Sequence, residues 1–483
     1  MVNLISSKFK VPAILLVLIL AAAAPLVFTG YTELRQANTA WSAQDFQAAA
    51  SHYERAARLL PWRSDLWDRA GVSSYIAGET ESAISLLEKA RAAGSLSGFG
   101  WNVLGAIYWQ AGKEEIALRN WQAGLEQHPE YFQTYSDLGM AYRAKGDFGL
   151  EQEAVENWLE HEQEARRIYL DALGETSAPF HYRLGQLLAI SDSDRALKEF
   201  LLASSLDPQY DSAVETMRTA LNLASLEPND AARLIIIGRG LGLVEEWPLA
   251  AEAFGQAVDL DEQNAQAWAW LGEANQHLGQ EGIEELDQAV ALDAESVIVR
   301  ALRGLYWKRA GNYRAALIDY QAAAELEPEN PAWKTALGET YARLGELVSA
   351  LAVYQSATDL APQDATNWRL LATFCAEYGV QVQEVGLPAA HKAVELAPND
   401  VLALDVLGWN QLNAELLYSA EQTLLAALEI APDFPAAHLH LALTYLKKGD
   451  RDSAREHLLR VRELDPDGLY GQQAQQVLSQ YFP

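Results

Sequence analysis

Glycine and proline recur along this chain at a fixed interval of 34 residues. Gly71, Gly105 and Gly139 are separated by this interval, and so are Pro398 and Pro432. A constant period of roughly 20–50 residues indicates an array of repeated units, each too small to bury its own hydrophobic face. The 483 residues are also too many for one compact core. We therefore expect an elongated array rather than a single globular domain.

The unit in residues 98–131 has the periodicity of two helices. In the first helix, the large apolar residues and one glycine share a face: Trp101, Leu104, Gly105 and Tyr108. In the second, one face carries Ala117, Trp121 and Gly124. This spacing is typical of helices with one buried face. Gly112 separates the two helices, and the residue before Pro129 resists helical dihedral angles. Each unit is therefore predicted to be a helical hairpin.

This arrangement resembles the tetratricopeptide repeat (TPR) family. The family pattern is W-x2-L-G-x2-Y, followed by a small residue, an aromatic residue, another small residue and proline. The resemblance extends over nearly all of residues 31–468, in about twelve copies. It implies an all-α fold, a TPR-type helical-hairpin solenoid that winds into a right-handed superhelix. It also implies that the first helix of each repeat lines a concave groove, in which other proteins bind.

Breaks in the period divide the array. We expect an N-terminal array over residues 31–175, ending in a long polar helix near 147–175. A C-terminal array is expected over residues 178–468, with an unpaired helix near 211–228. Residues 469–483 carry one apolar stripe among glutamines. They are expected to form a capping helix, because the end repeat of a solenoid needs a polar outer face.

A long uncharged segment lies between Lys10 and Glu33. About 20 helical residues are enough to cross the ~30 Å hydrocarbon core of a bilayer. Residues 11–30 are therefore predicted to be a transmembrane signal anchor in contact with the lipid bilayer. Lysines before this segment place residues 1–10 in the cytoplasm by the positive-inside rule. The repeat array is then expected on the extracytoplasmic side of the cell membrane.

A cleaved signal peptide is the alternative for the same segment. Small residues precede a cleavage site after Ala24, and cleavage there would remove residues 1–24. Pro25 would then follow the scissile bond, and proline at this place usually blocks signal peptidase. The apolar stretch also continues to Phe28. Both features favour the anchor, but the sequence leaves the alternative open.

The composition excludes several kinds of site. A net charge of −30 argues against a general nucleic-acid binder, because phosphates repel an acidic chain. The one cysteine, Cys375, excludes an intramolecular disulfide and is expected to be a buried, inert thiol. His438 and His440 are two residues apart on a predicted helix, so they face different ways and make a poor metal pair. The acidic run Glu151–Glu164 is expected to be a solvated helix face. We expect no metal, no cofactor and no catalytic site.

The remaining candidates for function are residues projected onto the groove. The basic ones, which we call the basic strip, are Lys308, Arg309, Arg343 and Arg369. The others are Tyr75, Ile76, Phe99, Asn102, Trp109, Trp409, Leu412, Leu439 and Leu443. On so acidic a chain, four cations in three consecutive repeats predict a strip that binds an acidic partner segment. Glu339 and Glu377 share this surface, so neutralisation of the strip is the alternative.

Together these features predict a membrane-anchored TPR scaffold that holds partner proteins through a helix or an extended peptide in its groove. By analogy with other membrane-bound TPR proteins, the expected setting is a bacterial envelope assembly or export system. One alternative is a structural subunit of a membrane protein complex with no peptide in the groove. The specificity arm of an enzyme is less favoured, because no stretch outside the repeats is long enough for a catalytic domain.

Overall fold

The structure is a computed structural model that describes residues 7–168 and 177–482, with side chains for residues 24–161 and 177–482. All secondary structure in these ranges is helical, which confirms the predicted all-α, helical-hairpin fold. The chain divides into two compact units, Met1–Leu223 and Ala224–Pro483.

The helices of the first unit follow one another in pairs joined by short turns. In chain order they are α1 (Ser7–Ser42), α2 (Phe46–Leu59), α3 (Asp65–Ile76), α4 (Thr80–Ala92), α5 (Gly98–Gln110), α6 (Glu114–Gln127), α7 (Gln133–Lys145), α8 (Phe148–Ile168), α9 (Ala178–Ser191) and α10 (Ser193–Leu206). A 3-10 turn at Pro208–Tyr210 precedes α11 (Asp211–Ser225), where the sequence predicts a single helix. The first helices of neighbouring pairs contact each other, α3 with α5 and α5 with α7. They form one continuous face, which we call the inner face.

The second unit continues the same pattern. Its helices are α12 (Asp230–Leu243), α13 (Trp247–Leu260), α14 (Ala265–His277), α15 (Ile283–Leu292), α16 (Val297–Arg309), α17 (Tyr313–Leu326), α18 (Pro331–Arg343), α19 (Leu347–Leu360), α20 (Ala365–Tyr378), α21 (Leu387–Leu396), α22 (Val401–Asn413), α23 (Leu417–Ile430), α24 (Pro435–Lys448), α25 (Arg451–Leu464) and α26 (Leu469–Tyr481). A π-helical turn at Val382–Gly386 precedes α21. Here too, first helices contact first helices, from α12 with α14 to α22 with α24. They form the inner face of this unit.

A glycine on the first helix of a pair lies against a large side chain on the second, sixteen residues later. The pairs are Gly71 and Leu87, Gly105 and Trp121, Gly238 and Phe254, Gly304 and Tyr320, Gly338 and Tyr354, and Gly408 and Leu424. A Cβ atom at any of these glycines would overlap the facing side chain. The close helix contact predicted at Gly105 is therefore confirmed.

The turn inside most pairs contains a residue in the left-handed backbone region. Gly78, Gly112 and Gly146 occupy this position with φ of 81°, 69° and 72°, and glycine adopts such angles without steric cost. Gln44 has the same conformation 34 residues before Gly78, with φ of 61°. The repeat geometry is therefore retained even where a side chain makes the turn less favourable.

The array stays packed across the predicted division between residues 175 and 178, which lies inside the first unit. The carboxylate of Glu151 on α8 accepts hydrogen bonds from Arg183 on α9, at 2.5 Å from Nε and 2.8 Å from Nη2. Trp158 of α8 also stacks on Phe180 of α9, with 3.5 Å between ring centroids. Glu151 is only 2% exposed. The expectation that Glu151–Glu164 forms a solvated face is therefore wrong at this position, because this face of α8 packs on α9.

The last helix covers the end of the second unit. Ala474 and Leu478 of α26 pack in one apolar cluster with Leu439 of α24 and Leu458 of α25. Glutamines occupy much of the rest of the helix. The polar outer face that a terminal repeat needs is thus supplied by α26, in the region where the sequence predicts the capping helix.

The predicted membrane anchor gains no support from the structure. Among the described residues, none of the helices combines the length and the apolar character needed to cross a membrane. Much of the predicted segment lies outside the described side chains, which begin at residue 24. Residues 1–23 of the segment that the alternative cleavage would remove also lie outside the described side chains. Within the described part of α1, Gly30 lies against Leu60 at the end of α2, and Ala37 packs in an apolar cluster with residues of α2 and α3.

We predict that Gly105→Ala lowers the free energy of unfolding by about 1–3 kcal/mol, because the added methyl overlaps the buried indole of Trp121. The loss should stay near α5 and α6, since repeats couple mainly to their neighbours. Thermal unfolding and hydrogen exchange measure both effects. Gly255→Ala is the matched control: no atom lies within 4 Å of its added methyl. It should stabilise α13 by up to about 1 kcal/mol. Equal effects of the two substitutions would contradict the assigned contact.

We also predict that Cys375 does not react with a thiol reagent in the native chain at pH 8. The residue is 0% exposed, and burial raises the pKa of its thiol to about 12. The thiolate is the reactive form, so its fraction at pH 8 is very small. Titration with Ellman's reagent should release one equivalent per chain only in denaturant. Fast stoichiometric release from the folded chain would mean that this core is open.

Candidate functional site

Carboxylates of the same chain pair with three of the four cations of the basic strip. Nζ of Lys308 on α16 lies 2.6 Å from the carboxylate of Glu339 on α18. Arg309 on α16 donates to both carboxylate oxygens of Glu273 on α14, at 2.9 Å each. Glu273 is 5% exposed, so this contact is partly removed from solvent. Both pairs join the first helices of neighbouring hairpins, and they hold cations that were expected to be available to a partner.

The other two cations of the strip differ from each other. Nε of Arg369 lies 3.8 Å from the carboxylate of Asp400, which caps the N-terminus of α22. Arg343 at the end of α18 is exposed and forms no ion pair within the described residues. One of the four predicted cations is therefore free. Neutralisation by Glu339, which the sequence leaves as the alternative, occurs, and Glu273 and Asp400 contribute to it as well.

Two apolar candidates of the last repeats belong to the core. Leu412 is 3% exposed and Leu439 is 2% exposed. The capping helix α26 covers Leu439, and Leu443 packs partly against the same cluster. Their assignment to an accessible groove is therefore corrected: neither Leu412 nor Leu439 is open to a partner in this chain.

Aromatic candidates on the inner face pack against their neighbours. Trp409 is half-buried and stacks on His440, with 4.6 Å between ring centroids. Trp109 packs on Trp121 at 6.0 Å. Tyr75 is half-buried against the apolar cluster between α3 and α5. These three rings contribute more to packing than to an open surface.

The two histidines of α24 have different partners, as their spacing predicts, but both are buried. Nδ1 of His438 lies 2.8 Å from Nδ1 of His457, and Nδ1 of His440 lies 2.8 Å from Oδ1 of Asp405. Burial, together with the neighbouring His438, lowers the pKa of His457. Across the ranges the structure describes, no group of three or more potential ligand side chains is suited to a metal ion.

The inner face of the first unit contains a cavity of about 620 Å³. It lies among α1, α3 and α5, and its residues fall into an apolar and a polar group. The apolar and aromatic lining consists of Trp41, Tyr53, Val72, Ile76 and Phe99, and the polar lining of Asn38, Ser42, Asp68, Arg69 and Ser97. Ile76 and Phe99 are thus two sequence candidates that the structure brings together.

The repeat period explains why these side chains converge. Asn38 and Val72 are 34 residues apart, as are Ser42 and Ile76, so successive first helices present equivalent positions. Trp41, Ile76 and Phe99 remain 37%, 42% and 38% exposed. Tyr53 is buried at the cavity wall, and its hydroxyl donates to Oδ1 of Asn38 at 2.8 Å. The cavity is therefore accessible and has walls fixed by the packing of the first hairpins.

Asp68 is a residue of this cavity that the sequence candidates missed. It is 9% exposed, and its Oδ1 accepts hydrogen bonds from the backbone N–H and the hydroxyl of Ser97, at 3.1 and 3.0 Å. Burial raises the pKa of the Asp68 carboxyl, although the hydrogen bonds from Ser97 oppose the shift. A signal was present in the sequence: Asp68 occupies the repeat position of Asn102, one period earlier, and Asn102 was a candidate.

Three segments of the sequence match known family profiles. Profiles described as tetratricopeptide repeat match residues 34–97 and 302–365, and a second profile of the same description matches residues 414–480. A comparison with curated proteins gives no significant match.

Many solved structures resemble the fold, at low sequence identity. The Cut9–Hcn1 hetero-tetramer of the APC/C is 14% identical, with a TM-score of 0.44, over 96% of this chain and 99% of that one. Yeast Tom70 is 15% identical, with a TM-score of 0.40, over 87% of this chain and 96% of that one. YrrB, described as a TPR protein with an unusual peptide-binding site, is 22% identical over 40% of this chain and 97% of its own, with a TM-score of 0.30. The profile matches show tetratricopeptide repeats at residues 34–97, 302–365 and 414–480, and the hairpins at Gly105 and Gly238, outside these segments, have the same kind of glycine contact.

Proposed function

We propose that this chain is a protein-binding scaffold and that a segment of its partner docks in the cavity among α1, α3 and α5. The observation that carries the proposal is the accessible cavity of about 620 Å³ on the inner face. Its three exposed apolar side chains, Trp41, Ile76 and Phe99, can be buried by a partner. Concave sites with apolar walls and a few fixed polar groups are the usual form of binding sites.

The basic strip is a weaker candidate for partner binding. An acidic segment at Lys308 and Arg309 would have to displace Glu339 and Glu273, which already hold these cations. Exchange of one partially buried ion pair for another yields little net free energy. Arg343 alone offers an unpaired cation there, and one exposed charge is worth only about 0–1 kcal/mol.

The proposal contains no catalytic step and no cofactor. Helical hairpins occupy nearly all of the described residues, and binding of a partner accounts for the inner face. A role in a bacterial envelope assembly or export system stays a prediction from the family resemblance.

We further propose that residues 11–30 anchor the scaffold in the cell membrane, with the repeats on the extracytoplasmic side. The support is the absence of charge between Lys10 and Glu33, over a length sufficient to cross a bilayer. The lysines on the N-terminal side give the orientation. The cavity would then lie near the membrane, since Asn38 follows residue 30 by eight helical residues, or about 12 Å.

We predict that Phe99→Ala weakens peptide binding about tenfold, because an aromatic anchor at the centre of a docking site carries much of the binding energy. Peptides selected from a random library on the immobilised full chain are then titrated by fluorescence anisotropy. Tyr418→Ala is the matched control: both residues stand second in their helices, but Tyr418 is 74% exposed and lies outside the cavity. Tyr418→Ala should bind the peptides with the same affinity as the unmodified chain. If no peptide binds, or if both variants behave alike, the structural-subunit alternative is favoured.

We predict that the full chain resists carbonate extraction from membranes and that deletion of residues 11–23 releases it. The deletion keeps Val27 and Gly30, which pack on the first hairpin, so the repeats should melt at the same temperature. Fractionation and N-terminal sequencing of the mature chain measure the outcome. A full chain that carbonate extracts, or a mature chain that begins at Pro25, would contradict the anchor.

A further inference from the structure

Asp68 lines the cavity, and one of its carboxylate oxygens has no partner within the described residues. Its Oδ1 is held by Ser97, whose hydroxyl in turn accepts from the backbone N–H of Gly100 at 3.0 Å. Within the described part of the chain, Oδ2 makes no hydrogen bond and no ion pair. A charged group that is nine-tenths buried is costly unless it is paired. Asp68 is therefore a fixed acceptor that lacks a donor.

Aromatic rings line the same cavity as this acceptor. They belong to Trp41, Tyr53 and Phe99. The faces of aromatic rings attract cations, and a carboxylate in a partly buried site attracts them more strongly than one in water. The combination of ring faces and an unpaired carboxylate is suited to a positively charged group with an apolar stem.

A cation that lines the same cavity does not fill this role. Arg69 also lines the cavity, but its Nε lies 3.7 Å from the carboxylate of Asp65, and half of its side chain is exposed. No ion pair joins Arg69 to Asp68 within the described residues. The guanidinium therefore lies at the edge of the cavity and leaves Oδ2 of Asp68 available.

In the next repeat, the residue at the equivalent position is hydrogen-bonded to the neighbouring first helix. Asn102 follows Asp68 by one period, and its amide donates to the carboxylate of Asp137 on α7 and, at 3.4 Å, to the hydroxyl of Thr134. The amide of Asn102 thus finds its acceptors on α7 of the same chain. At Asp68, by contrast, Ser97 is the one donor within the described residues, and it binds Oδ1.

We propose that this cavity binds a lysine or arginine side chain of the partner's docking segment, with Oδ2 of Asp68 as the acceptor and the rings of Trp41 and Phe99 around the stem. This inference rests on the proposed function, since it names the chemistry of the segment that docks there. The occupant is a short, extended segment with one basic residue beside apolar ones. Its affinity should fall with acidification, because protonation of Asp68 removes the charge that holds the cation.

The experiment compares peptides and two neighbouring variants on the full chain. Library peptides selected on the unmodified chain are made with acetylated and amidated ends, so that only side chains carry charge. In each, the basic residue is then replaced by norleucine or by glutamate. Asp68→Asn keeps an oxygen that accepts from Ser97 but loses the charge. Arg69→Gln removes a cation that lines the same cavity and tests the sign of the charge that the site attracts. Thermal unfolding verifies that both variants stay folded.

We predict that the basic peptide binds Asp68→Asn about tenfold more weakly, whereas the norleucine peptide binds it as well as the unmodified chain. Arg69→Gln should raise the affinity for the basic peptide, because it removes a positive charge from the cavity lining. The inference is wrong if the selected peptides lack a basic residue, if Asp68→Asn has no effect, or if Arg69→Gln weakens binding and glutamate is preferred. Each of these results still leaves the cavity as the docking site, whereas absence of any binding, or no loss with Phe99→Ala, overturns the proposed function itself.

Discussion

The contact between a glycine on one helix and a large side chain sixteen residues later on the next holds six of the described hairpins together, and the other features of the fold depend on it. At Gly105 the indole of Trp121 lies on the backbone of α5, and its Nε1 donates to the carbonyl of Asn102 at 3.1 Å. The buried ring thus keeps its only donor satisfied. Because the second helix is fixed to this face of the first, the opposite face of the first helix is left to contact the neighbouring first helix. The inner face follows directly from the glycine contact.

That inner face is largely satisfied by its own side chains. Polar residues on one first helix reach to the next: Asn102 to Asp137, Lys308 to Glu339, Arg309 to Glu273, and His440 to Asp405. Such pairs meet the requirement that buried polar groups be hydrogen-bonded. They also explain why a count of cations on this surface overstates its attraction for an acidic partner. A polar residue on the inner face is first of all a link between repeats.

The repeat period was sufficient to predict the hairpins, the close approach at Gly105 and the buried thiol of Cys375, because these depend on contacts inside one unit. Contacts between neighbouring repeats were harder to predict from the sequence. Arg309 was predicted to be available because its partner Glu273 lies 36 residues earlier, although Glu273 and Glu339 both directly follow a close-contact glycine, and this shared position was a usable signal. Leu439 was misplaced because its burial depends on α26, a helix that lies outside its own hairpin. Side-chain pairing and end effects are properties of the packed array, which the pattern of one repeat does not contain.

Asp68 combines both kinds of information. Periodicity alone places it on the inner face, since it is one period before Asn102, but only the packed structure shows that its second oxygen has no donor. One repeat later, the equivalent residue is the neutral Asn102, whose amide donates to the carboxylate of Asp137. A neutral side chain at residue 68 would avoid the cost of a buried, unpaired charge. Positions at which a sequence departs from such local consistency are expected to be functional ones. The unpaired carboxylate lines an accessible cavity together with aromatic rings, and it is thus better explained by a ligand than by the stability of the fold.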